Sequence, residues 1–212
     1  MSSVLLLDFD GVVLRNKQLS LYQSRRSAKF LQKHTHLPLA TCIKLNNEYY
    51  PKYGHTVLMV NHIFRKNTTL EEYNEYVFDK HHLNRLNNLV CERSVDQIKG
   101  FKDVFNTCAA NDMDWAIFSN ANINWVLHFS KLGGLEDVTD RKIIYPQTLD
   151  MLKPKKKAYD NIENIYSQCC TIVFVDDSSI NLEEPEKRDN WIPIHFKTND
   201  DHNNILDVLS MI

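Results

Sequence analysis

No Cys-X-X-Cys pair occurs in the chain, and its five cysteines (Cys42, Cys91, Cys108, Cys169 and Cys170) are scattered and odd in number. That usage argues against a disulfide framework or a thiolate metal site, and fits thiols acting as small core residues in a reducing compartment. No apolar run approaches the roughly 20 residues needed to span a bilayer. The N-terminal run is too short for a signal peptide and is cut off by Asp8. A soluble, cytoplasmic protein with no membrane partner is the expectation. Charge of one sign is lacking too: 25 basic residues stand against 27 acidic ones, for a net charge of −2. Nothing in that balance draws the chain toward nucleic acid. Repeats and low-complexity tracts are missing, and 43% hydrophobic with 25% charged residues is ordinary globular composition. At 212 residues the chain fits one large domain, or a core with a smaller insert.

What is present is a series of short apolar runs: Val4 to Leu7, Trp115 to Phe118, Lys142 to Tyr145, Thr171 to Val175 and, more weakly, Trp191 to Phe196. Runs without polar alternation suit strands covered on both faces, as in parallel sheets. Helix-period segments lie between the later ones, at Phe101 to Ala110, Asn122 to Leu132, Lys155 to Tyr166 and Ile205 to Met211. The spacing predicts an α/β fold, a doubly wound parallel sheet with right-handed crossovers. Residues from about 15 to 97 break the rhythm with helix-period segments at Leu19 to Lys33, Leu39 to Tyr50 and, in pieces, Leu70 to Leu89. They predict an all-helical cap inserted after the first strand, leaving 1–14 and 98–212 as the core. Hinges are expected near Leu14 to Lys17 and Ile98 to Phe101. Such an insert would stand over the carboxyl ends of the strands, where these folds bind ligands.

Polar residues gather at those ends. Asp8 and Asp10 close the first strand, with Gly11 where the chain must turn away; Ser119 and Asn120 close the second. Lys153-Pro154 precedes the helix after the third, and Asp176 and Asp177 close the fourth. Parallel strands bring these tips together. Carboxylates beside an apolar run need compensating charge, and an oxygen-rich set with one lysine suits Mg²⁺ rather than zinc or copper. The residue types suit phosphoryl chemistry. One carboxylate attacks phosphorus, a second carboxyl protonates the departing alkoxide, and lysine and hydroxyl groups hold the phosphoryl oxygens.

On these residues the sequence resembles the haloacid dehalogenase superfamily of phosphohydrolases, end to end. The four motifs are Asp8-Phe9-Asp10-Gly11-Val12, Phe118-Ser119-Asn120, Lys153-Pro154 and Val175-Asp176-Asp177-Ser178-Ser179-Ile180-Asn181. The resemblance implies that Asp8 is the nucleophile and Asp10 the general acid and base. It implies Mg²⁺ held by Asp8, the Asp10 carbonyl and Asp176, with Asp177 helping, and a phosphoryl group bound by Ser119, Asn120 and Lys153. The acid at Asp10 favours phosphoryl transfer over dehalogenation. The stretch from Asn46 to His55, with Tyr49, Tyr50 and Tyr53, is similar to the tyrosine-rich segment of pyrimidine 5′-nucleotidase-like members. Gly11 followed by Val12 departs from that subgroup.

The function expected is hydrolysis of a small phosphomonoester, a nucleoside monophosphate by preference, through an aspartyl-phosphate. A phosphomutase, another phosphotransferase or a sugar-phosphate phosphatase on the same core is an alternative. From another class comes a catalytically idle binding protein. The three tyrosines, at helical spacing, suit either substrate contact or cap packing. His55, His81 and His82 read as surface or capping residues, because an oxygen-liganded ion needs none of them. The motifs leave the oligomeric state open.

Overall fold

The computed structural model describes residues 2–90, 92–197 and 201–212; Cys91 and the side chains of His81 and His82 lie outside the described part. The apolar runs form strands β1 (Ser2–Leu7), β2 (Asp114–Phe118), β3 (Ile143–Ile144), β4 (Cys169–Asp176) and β5 (Trp191–His195). They pair in parallel in the order β3-β2-β1-β4-β5, which places β1 at the centre. β3 is shorter than its apolar run because Lys142 is taken up by a 3₁₀ turn, Asp140–Lys142.

Five helices follow β1: α1 (Lys17–Thr35), α2 (Leu39–Tyr53), α3 (Thr56–Ile63), α4 (Leu70–Val77) and α5 (Lys80–Leu86). Around the later strands run α6 (Glu92–Ala110), α7 (Ile123–Leu132), α8 (Lys156–Ile165), the single turn α9 (Ser179–Leu182) and α10 (Asp201–Ser210). α3 is the helix that periodicity did not show, since Val57, Leu58, Met59 and Val60 give no polar face. Its start is set by His55, whose ring accepts from the Val57 amide. α6 is one continuous helix from Glu92, so the hinge expected near Ile98 to Phe101 falls inside it, where Ile98 and Phe101 are fully buried.

Strand alternation divides the core in two. Leu5, Leu7, Ile117, Val173 and Val175 face α6, α7 and α10, whereas Val4, Leu6, Ala116, Phe118 and Phe174 face α8. Each large apolar side chain fully removed from water contributes roughly 1.5–3 kcal/mol, enough to hold the sheet between both helical layers. The first cluster continues without a break into the inserted helices through Phe30, Val57, Val60 and Tyr73. Phe78 packs edge-on against Trp125 of α7, with ring centroids 5.4 Å apart. Asn16 ties the first connection down. It caps α1 through Oδ1 while its Nδ2 donates to the Leu89 carbonyl and Ser94 Oγ.

Candidate active site

β1 ends at Leu7, and the Asp8 amide still donates to the Val175 carbonyl at 2.8 Å, so its side chain emerges at the strand tip. Beyond it the chain loops tightly: the Gly11 amide donates to the Leu14 carbonyl, and the Leu14 amide to that of Phe9. Gly11 has φ +97°, and a Cβ there would sit 2.2 Å from Asp177 Oδ2. Only glycine fits a left-handed turn pressed against that carboxylate.

Lys153 joins the strand tips. Its ammonium, on a residue 1% exposed, donates to Asp8 Oδ1 at 3.0 Å, Asp176 Oδ2 at 2.6 Å and the Phe118 carbonyl at 2.8 Å. Burial works against its charge, but Asp176 and Asp8 outweigh that and hold its pKa above the ordinary lysine value. Asn120 holds this lysine in place: its Nδ2 donates to the Lys153 carbonyl and its Oδ1 accepts from the Lys153 amide, both at 2.9 Å. Asp176, fully buried, is fixed by the Ser178 amide at 2.8 Å and by Asn181 Nδ2, which lies 3.1 Å from each carboxylate oxygen.

Oxygens of Asp8, Asp176 and Asp177 lie within 4.8 Å of one another. One lysine cannot neutralise three carboxylates, and the imbalance is visible at Asp8. Burial, reinforced by Asp176 and Asp177 and opposed by Lys153, lifts its pKa to about 7. The hard oxygen donors and the uncompensated charge fit a divalent cation such as Mg²⁺. Asp10 is also raised to about 7, first by burial and then by Asp8, while hydrogen bonds from Trp125 and Gln23 work the other way. Trp125 Nε1 donates to its Oδ1 at 3.0 Å, and Gln23 Nε2, from α1, to its Oδ2 at 3.2 Å. Ser119 is buried, with Oγ accepting from the Ala121 amide at 3.2 Å.

Most of these groups line a cavity of about 930 Å³, with Asp176 and Trp125 buried behind its wall. Asp8, Asp10, Ser119, Asn120, Lys153 and Asp177 form its sheet side, while Tyr50 stands on its helical side. Of the three tyrosines expected at the substrate, Tyr49 and Tyr53 do not line this cavity. One turn apart on α2, they pack side by side, with ring centroids 6.2 Å apart, and Tyr53 also meets His62. Four residues apart, Tyr49 and Tyr53 are neighbours on the helix surface; spacing alone does not set Tyr50 apart, since it stands three residues before Tyr53, but its place in the cavity wall does. Gln23, Trp125 and Asn181 are polar partners of the acidic groups that no motif reading assigned. Asn181 lay within the fourth motif, but neither Gln23 nor Trp125 carries a local signal.

The five-stranded parallel sheet between helical layers, with acidic side chains and a buried lysine at its central strand tips, is a Rossmann-like α/β fold. Among solved structures, the chain is similar to a protein of Burkholderia xenovorans LB400 named for its likeness to haloacid dehalogenase-like hydrolases, with a TM-score of 0.52. The two share 14% identity over 91% of this chain and 83% of the other, a likeness of fold. No family model matches the chain, and no curated protein does. Among the described residues no helix is long and apolar enough to cross a membrane.

Proposed function

We propose that the protein is a Mg²⁺-dependent phosphatase that hydrolyses a small phosphomonoester through an aspartyl-phosphate on Asp8. The observation that carries this reading is the Lys153 ammonium shared between Asp8 and Asp176, with Asp10 and Asp177 opening onto the same cavity. Asp8, Asp176 and Asp177, with the Asp10 carbonyl, would hold the ion. Bound there, it supplies positive charge that favours ionised Asp8 and eases the approach of a phosphate dianion.

In the first step an Asp8 oxygen bonds to phosphorus as the bond to the alcohol oxygen breaks, and protonated Asp10 gives that oxygen its proton. In the second, Asp10 takes a proton from water, whose oxygen displaces Asp8 and releases inorganic phosphate. A carboxyl with a pKa near 7 suits both roles at neutral pH. Lys153 and Ser119, which line the same cavity, would hold the phosphoryl oxygens, since donors fixed in advance stabilise charge that develops beside them. The nucleoside monophosphate preference rests on Tyr50 in the wall and on a cavity within the roughly 300–1,000 Å³ range of small-molecule sites.

The test is turnover of a panel of phosphate esters with Mg²⁺, with EDTA, and by Asp8→Asn. Phosphate release that needs Mg²⁺ and vanishes in Asp8→Asn, with folding near normal, is expected. Undiminished release by Asp8→Asn sinks the mechanism. Equal weak activity on every ester removes the nucleotide preference.

A further inference from the structure

The helical side of the cavity has a chemistry of its own. Its residues between Leu19 and Phe78 include Gln23, Ser27, Asn46, Tyr50, His55 and Tyr73, and none of the residues it contributes is charged. Cations do line the opening at Arg15 and Lys17. Arg15, however, donates to the Lys197 carbonyl and lies over the Phe196 ring, and Lys17 is exposed. Farther along α1, Arg26 and Lys33 stack on Tyr76.

Hydrogen-bond accounting shows what this wall can offer. Asn46 is 4% exposed, and its Oδ1 accepts from Thr56 Oγ1 at 2.8 Å, so its amide nitrogen is what remains to donate. His55, also 4% exposed, accepts the Val57 amide at Nδ1, so a neutral ring must carry its hydrogen on Nε2. Burial keeps that ring neutral by pushing its pKa down to about 3. Ser27 Oγ donates to the Gln23 carbonyl at 2.9 Å, which makes Tyr73 the donor in their 2.7 Å contact. The free capacity of Asn46 and His55 is thus that of donors without charge.

We infer that Asn46 and His55 form a specificity pair that selects phosphate esters of uncharged, acceptor-bearing alcohols, such as the hydroxyl- and carbonyl-rich leaving groups of sugars and nucleosides, over esters whose leaving group is anionic. The inference rests on the phosphatase reading and assigns the far end of the same site. A carboxylate or second phosphate held there would lose water against a wall with no cation between Leu19 and Phe78, in a cavity whose sheet side carries Asp8, Asp10 and Asp177. A neutral acceptor is met by donors already fixed in place, one by the Thr56 bond and one by the start of α3.

The experiment compares kcat/KM with Mg²⁺ for uridine 5′-monophosphate, ribose 5-phosphate, 2-phosphoglycolate and phenyl phosphate. Wild type, Asn46→Leu and His55→Asn are used; asparagine keeps the start of α3 capped while withdrawing the Nε2 donor. The two neutral, acceptor-rich esters should lead phosphoglycolate by roughly 100-fold. Each variant should lower the ratio of ribose 5-phosphate to phenyl phosphate roughly tenfold, the size of one lost hydrogen bond. Phosphoglycolate level with or ahead of the sugar ester overturns the inference, as does an unchanged ratio in both variants. If wild type turns over no ester, the phosphatase reading has failed, and calorimetric titration with uridine, ribose and glycolate decides the pair separately. Uridine or ribose binding that weakens in the variants sustains it; no binding, or tighter binding of glycolate, ends it.

Discussion

Replacing Lys153 by Met leaves a side chain of similar length in a site 1% exposed, but removes the cation 3.0 Å from Asp8 and 2.6 Å from Asp176. Breaking a buried ion pair from one side costs about 3–5 kcal/mol, because the remaining charge stays in low dielectric without a partner. For a chain of this length that is roughly 6–20 °C in Tm. The loss should depend on pH in a stated direction. Asp8 already has a folded pKa near 7 against an ordinary 3.8, and without Lys153 it rises further. A carboxyl whose folded pKa is raised binds its proton more tightly in the folded state. Its contribution is therefore complete below about pH 4 and is lost as pH rises through the folded value. Going from pH 7.5 to 5.5 should return up to about 2.7 kcal/mol per such group, at 1.36 kcal/mol per pH unit. Urea unfolding of wild type and Lys153→Met at both pH values, in EDTA, measures this directly. A variant as stable as wild type at pH 7.5, or a deficit that grows on acidification, would refute the reasoning.

Three further outcomes are expected. Gly11→Ala forces a Cβ to within 2.2 Å of Asp177 Oδ2 at φ +97°; the backbone cost is about 1–2 kcal/mol, and the displaced carboxylate should weaken Mg²⁺ binding by calorimetry. Trp125→Phe removes a donor that favours ionised Asp10, so the alkaline limb of the kcat profile should move up by about 0.5–1 pH unit, and a downward move would contradict the assigned role. His55 has a folded pKa near 3 against 6.5 unfolded, so stability present above pH 6.5 should fall on acidification. By pH 4.5 the fall is about 2.7 kcal/mol, and urea titration of His55→Asn should show that part of the slope removed.

The strands and their acidic tips were legible because their signals are local. An apolar run cut by Asp8, or by Asp176, says by itself where a strand stops, and parallel order brings those stops together. The position of Ser119 followed from the same rule, whereas Lys153 lies in the loop before α8, nine residues past the end of β3. Helical periodicity found α1 and α2, whose apolar residues recur on one stripe, but not α3, whose apolar run has no polar face to set a period. Tyr50 separated from Tyr49 and Tyr53 only when the direction of α2 relative to the sheet was known.

By itself the sequence determined the α/β order, the residues offered at each strand end and the helical character of the segment after β1, because each depends on near neighbours in the chain. Tertiary structure alone decided that Gln23 and Trp125, 13 and 115 residues from Asp10, both reach its carboxylate. It also turned the amide of Asn120 toward the Lys153 backbone and gave the cavity a helical wall without charge between Leu19 and Phe78. Those facts depend on how one helix lies against another. The packing of buried side chains such as Phe78 on Trp125 sets that, and no spacing within a single segment encodes it.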